Sequence, residues 1–323
     1  MTIKNIPIWL AKSAIPAAKL FAGAVIAASV SGCYSATTTP SISADDVKRE
    51  LSATPAAEND LIHKVAPEPP ATWQSGKKWS VTDNKLQLIV TPASKGTRLP
   101  DMKGRMLTLV GIDSVPTIMG GHETELILAL APDTLVNYRT SLTPGEFLSR
   151  RSIDIPFTVD MGIVAEADSI LRGRQLYIMT STWLDENGNY RKARKFIPVT
   201  ADSVTAGATD APLRVYFHAD TYNLSGNLLM ALSSNPNRMR VFTTLFSLTD
   251  PRRSHPAILP ETWELIMRGE VARYMTRDEC RLALGTPRTV DRREMFGYTR
   301  ETWYYDNGVY LIFEDGILKQ FRT

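Results

Sequence analysis

The sequence predicts a mostly β protein whose C-terminal part is a small α+β unit. Three observations carry that expectation. Asn187-Gly188, Asn307-Gly308 and Asp315-Gly316 each separate apolar runs, and such pairs accept the positive φ of tight hairpins. Leu213, Val215 and Phe217 alternate with Arg214, Tyr216 and His218, the period of a half-buried strand. Two helical signatures with explicit start and stop residues stand just before the last group of strands, near Pro260 and Thr276.

The composition suits a globular chain. Its 323 residues are 43% hydrophobic and 22% charged, which excludes a polytopic membrane protein, a wholly disordered chain and a collagen-like fibre. Residues 1–32 carry Lys4, Lys12 and Lys19 with no acidic residue, then the apolar run Leu20–Val30. That run is too short to span a bilayer, which takes roughly 20 residues. It fits the apolar centre of a secretory signal peptide. Val30-Ser31-Gly32-Cys33 then resembles the bacterial lipoprotein box. The resemblance implies a diacylglycerol on the Cys33 thiol, cleavage before it and a further acyl chain on the new N-terminus, enough for stable anchoring. The residues after Cys33 (Tyr34, Ser35, Ala36) lack an Asp or an acidic run, so the expected location is the outer membrane, facing the periplasm.

Removing the leader lysines leaves 34 basic residues against 34 acidic. A neutral mature chain gives no electrostatic case for nucleic acid or an acidic membrane surface. With Cys33 lipidated, Cys280 stands alone and no intramolecular disulfide is expected. Residues 33–77 are rich in Ser, Thr, Ala and Pro and read as a disordered tether, with a short helix over Ala44–Leu51.

Strand signals then dominate. A first β-rich unit is expected over 78–168, with strands at Lys85–Val90, Arg105–Ile112 and Thr124–Leu130. A second is expected over 169–249, with a hairpin pairing Leu176–Trp183 with Tyr190–Val199 across Asn187-Gly188. Its hairpin spacing resembles the SH3-like barrels of bacterial envelope lipoproteins. In residues 250–323, Pro260 suits a first helical turn, and Trp263, Ile266 and Met267 give that helix an apolar face ending at Gly269. Thr276-Arg277-Asp278-Glu279 is a capping box; Cys280, Ala283 and Leu284 line a face, and Gly285 and Pro287 stop the helix.

Strands at Glu301–Asp306, Val309–Glu314 and Ile317–Arg322 follow. Two-residue turns would pair Tyr305 with Tyr310 and Trp303 with Ile312. One face would then carry Trp303, Tyr305, Tyr310, Ile312, Ile317 and Phe321 under the helices. The other would carry Tyr304, Val309, Leu311, Phe313 and Leu318. That second face is too apolar to be wet. It either packs on the preceding β region or binds a partner through Tyr304, Leu311, Phe313 and Leu318.

Two short helices and a three-stranded meander resemble the BamE (SmpA/OmlA) family of small outer-membrane lipoproteins. The matching residues are Gly269, Met275-Thr276, Leu284-Gly285-x-Pro287, Trp303-x-Tyr305 and Leu311-x-Phe313-x-Asp315-Gly316, about a fifth of the chain. The resemblance implies a non-enzymatic assembly, scaffold or adaptor subunit of the envelope, with a protein partner and with β-barrel outer-membrane protein assembly as the family's process. The alternative is a module gripping peptidoglycan or glycan through its β units.

No nucleophile elbow, phosphate-binding glycine loop or His-Glu-x-x-His occurs. His122-x-Thr124-Glu125 and His218-x-Asp220 each lack a third ligand at recognisable spacing. Cys280 reads as a buried small side chain. The sequence therefore points to no catalytic residue, metal, cofactor or small-molecule substrate.

Overall fold

The computed structural model describes residue 61 and residues 64–323, apart from 95, 97, 131–133 and 233–239. The leader, Cys33, the short helix expected over Ala44–Leu51, His63 and the tether up to residue 60 lie outside the described residues. The described chain is mostly β, built from antiparallel sheets with few helices. No helix among the described residues is long and apolar enough to cross a membrane.

Three sheets follow one another along the chain. The first holds β1 (Lys78–Val81), β2 (Val90–Pro92), β3 (Met106–Pro116), β4 (His122–Leu130), β5 (Thr134–Arg139) and β6 (Thr158–Asp160), in the order β2-β5-β4-β3-β1-β6. Trp79, Leu107, Leu109, Leu126, Leu128 and Val136 fill its core. The helix α1 (Pro144–Ser149) adds Phe147 from above, held at its start by a Thr143/Glu146 capping box.

The tether expectation fails over its last stretch. Trp73 is buried edge-on against Trp79 and Phe147, with ring centroids 5.1 and 5.6 Å away. Lys77 sits beneath both tryptophans, its Nζ 3.0 Å from Glu68 and 2.8 Å from Asp160. Proline-rich composition describes backbone stiffness; one large ring within it, Trp73, supplies the apolar area that ordering requires by meeting Trp79 and Phe147.

The strand expected over Lys85–Val90 is also corrected. Asp83 accepts from the Lys85 N–H and starts a 3-10 turn over Asn84–Leu88, leaving only Val90–Pro92 as strand. Short polar side chains bonding their own backbone outcompete a ladder there.

The second sheet holds β7 (Gln175–Ile178), β8 (Thr182–Leu184), β9 (Tyr190–Lys192), β10 (Pro198–Ala208), β11 (Ala211–Ala219), β12 (Leu224–Met230) and β13 (Phe246–Ser247), in the order β13-β7-β10-β11-β12-β8-β9. The alternation over 213–218 holds: β11 buries every second residue. The expected hairpin shrinks to β8 and β9, with Leu184 opposite Tyr190, because β7 turns away to pair with β10 and β13. A helix α2 (Met161–Leu171) went unread in the sequence. Asp160 caps it by accepting from the Gly162 N–H, and Val164, Ala167 and Leu171 pack into the second core. Residues 161–168, expected in the first unit, thus belong by packing to the second. The helix also places Asp168 to accept, at 2.7 Å, from the Val204 N–H beside the β10 bulge.

The third sheet holds β14 (Thr289–Met295), β15 (Tyr298–Tyr304), β16 (Tyr310–Glu314) and β17 (Ile317–Arg322) in sequence order, preceded by α3 (Phe242–Leu245), α4 (Pro260–Arg268) and α5 (Arg277–Leu284). Both helical readings hold: Gly269 ends α4 at φ 67°, and the Thr276/Glu279 capping box opens α5. The α4 and α5 faces share one continuous core with the second sheet. Phe196 meets Trp263 edge-on at 6.0 Å, and the Lys195 N–H bonds the Met267 carbonyl.

Candidate partner groove

The C-terminal sheet has four strands, not three. Phe296-Gly297, with Gly297 at φ 90°, is a two-residue turn joining Met295 to Tyr298. The turn between β15 and β16 spans three residues, Asp306–Gly308, with Gly308 at φ 75° and the Tyr305 N–H bonded to the Val309 carbonyl. One more loop residue than expected slips the register by one: Trp303 faces Leu311, and Tyr304 faces Tyr310. A one-residue slip moves every side chain of a strand to the opposite face. The Asp315-Gly316 turn does pair Glu314 with Ile317 as expected, but a bulge at Lys319 then sets Leu311 opposite Phe321.

Both expected faces are therefore rearranged. Trp303, Leu311, Phe313 and Leu318 lie together in the core, with Cys280 and Ala283 of α5. Of the two expectations for Leu311, Phe313 and Leu318, packing on the preceding β region is the outcome: they are fully buried in one cluster with the second sheet and unavailable to a partner, and Tyr304 alone of that group is exposed, at 45%. Tyr310 and Ile312, expected under the helices, line the outer face instead. One carboxylate is buried among these rings. Glu301 takes a 2.6 Å contact from Arg277 and a 3.2 Å bond from the Trp303 indole N–H. Arg277 also lies over Gly316, whose missing Cβ would sit 2.8 Å from the guanidinium.

The outer face forms a groove of about 440 Å³ lined by Asp291, Arg293, Met295, Arg300, Thr302, Tyr304, Tyr310 and Ile312. Strand alternation places them: Asp291, Thr302 and Ile312 are opposite one another in one row, and Tyr304 and Tyr310 in the next. Arg293 and Arg300 are directly opposite across β14 and β15. Arg293 is bound by Asp291 at 2.8 Å, which pushes its guanidinium pKa up. The Arg300 side chain makes no hydrogen bond or ion pair with any described residue, although Glu314 is its neighbour on β16. The groove thus offers aromatic and aliphatic walls with one net positive charge. Of its residues the sequence offers only Tyr304 as a partner contact; Tyr310 and Ile312 are expected in the core, and the β14 residues carry no expectation. Phe296-Gly297 between two charged, alternating runs is the signal that marks the missing strand.

The other chemistry-bearing residues do not converge. His218 takes Asp202 on Nδ1 at 2.5 Å and Asp220 on Nε2 at 3.4 Å. Carboxylates on opposite ring nitrogens cannot share one metal with that imidazole. No group of three potential ligands gathers among the described residues. Cys280 is fully buried and its thiol pKa is pushed up to about 12 by burial. A protonated, inaccessible thiol is neither nucleophile nor ligand. Lys195 is buried with Nζ donating to the Ala283 carbonyl at 2.7 Å, and burial lowers it to about 8. It ties the second sheet to the end of α5.

No family model matches the chain, and neither a curated protein nor a solved structure matches it.

Proposed function

We propose that the protein is an outer-membrane lipoprotein, anchored through Cys33 toward the periplasm, that serves as a non-enzymatic scaffold or adaptor. The observation that carries the reading is the outer groove of the C-terminal sheet, a concave face on a four-stranded support. The helix–helix–sheet order of residues 260–322 supports a BamE-like unit, with an added first strand and a shared core as departures. The SH3-like likeness of residues 169–249 rests on hairpin spacing alone. The glycan-binding alternative draws less support. Sugars stack on exposed aromatic rings, and among the described residues of the first two sheets Tyr190 is the one aromatic ring in the exposed apolar set.

Two measurements test the proposal. Cys33→Ala should move the protein from the membrane to the soluble fraction, as loss of its acyl chains requires; an unchanged membrane pool would refute the anchor. A photo-crosslinking residue in place of Thr302 should capture an envelope protein in intact cells. Failure to capture any protein there, while the chain is present and folded, would sink the adaptor reading.

A further inference from the structure

The groove also carries information about what it holds. Arg293 and Arg300 face each other across adjacent strands, an arrangement that costs stability unless an anion lies between them. Asp291 neutralises Arg293, but Arg300 is half-buried with no acceptor among the described residues. A guanidinium brings five donors in a planar fork and accepts a carboxylate in two parallel bonds. Beside that fork lie Met295, Thr302, Tyr304, Tyr310 and Ile312, which offer apolar contact on either side of the charge.

We propose that the groove binds an extended acidic segment of a partner protein, with an Asp or Glu carboxylate on Arg300 and flanking apolar side chains on Tyr304, Tyr310 and Ile312. The inference rests on the adaptor reading and names the chemistry of its partner. The lining residues carry one net positive charge, which matches one carboxylate; Glu314, opposite Arg300 on β16, lies outside that lining and makes no ion pair with it. A lipid phosphate would also bond Arg300, but its headgroup would leave the apolar walls of Tyr304, Tyr310 and Ile312 without a side chain to cover them.

The test uses the full chain purified in detergent, with fluorescein-labelled Val-Glu-Phe-Glu-Val and its Gln counterpart as probes. The Glu peptide should bind at least about tenfold tighter, the worth of a charge-assisted hydrogen bond. Arg300→Gln should abolish that preference, and Arg151→Gln, an exposed site on the first unit, should leave it intact. Equal binding of the two peptides, or a preference that survives Arg300→Gln, overturns the proposal. So does displacement of the Glu peptide by free acetate or by phosphatidylglycerol vesicles at lower concentration than by unlabelled peptide. If the Thr302 position captures a protein in cells and Arg300→Gln captures it equally well, the adaptor reading stands and the acidic-segment inference falls. If nothing is captured, both fall.

Discussion

The first sheet and the C-terminal sheet look alike in the sequence as candidate independent units, yet they pack in opposite ways. Residues around β1–β5 close their own core, with Trp73, Trp79 and Phe147 at its centre, and only β6 reaches out of it, giving Val159 to the second cluster. The C-terminal sheet does not. Trp303, Leu311, Phe313 and Leu318 lie in one continuous cluster with Leu213, Val215 and Phe217 of the second sheet. A boundary in sequence composition near residue 250 is therefore no boundary in packing. A pattern that specifies strands and helices does not specify which cores they fill.

The largest test of this contrast is Trp263→Ala. The ring is buried between α4 and Phe196, so the cavity should cost about 3–5 kcal/mol. Hydrogen exchange should then rise together in β10, β11, β15 and β16 while β3 and β4 keep their protection. Loss confined to β14–β17 would mean that the C-terminal unit unfolds alone and the shared core does not exist. Lys77→Ala asks the reverse question of the first unit. It removes a buried cation from Asp160, which keeps only its helix-capping bond from Gly162. Leaving that carboxylate partly unpaired should cost about 3 kcal/mol. Exchange should rise in β1, β3, β6 and residues 64–77. Equal loss across all three sheets would show that the first core is not separate.

What the sequence disclosed follows the range of the interactions. The Thr276 capping box, the Gly269 and Gly285 helix ends and the β11 alternation depend on neighbours within a few residues, and all were legible. The groove depended on a loop count. Asn307-Gly308 looked like a two-residue turn, while the chain closes over Asp306–Gly308, and that single residue exchanged Ile312 for Leu311 at the core. Helix α2 was missed because its apolar positions read as a continuation of strand-like sequence, and its cap depends on Asp160, which also serves Lys77. Trp73 was read with its proline-rich surroundings, because nothing local reveals that Trp79 and Phe147 will meet it.

The seam between the second sheet and α5 offers the finest probe, through Lys195. Its ammonium is buried against the Ala283 carbonyl, and its pKa falls from 10.5 to about 8. At pH 7 the group is charged in both states, so the folded state bears a burial cost of about 3 kcal/mol. Lys195→Met removes that cost but strands the Ala283 carbonyl, a loss of roughly 2 kcal/mol. The variant should therefore be about 1 kcal/mol more stable at pH 7. Between pH 8 and 10.5 the unfolded chain holds a proton on Lys195 that the folded chain has released, so wild-type stability from this group rises with pH. By pH 9.5 the gain is about 2 kcal/mol, enough to reverse the order of the two proteins. Cys280, raised by burial, pulls stability the other way at high pH, but equally in both proteins, and cancels in the difference. Urea melts of both at pH 7 and 9.5 measure this. A difference that does not change with pH would mean that Lys195 reaches water, against its burial and its bond to the Ala283 carbonyl.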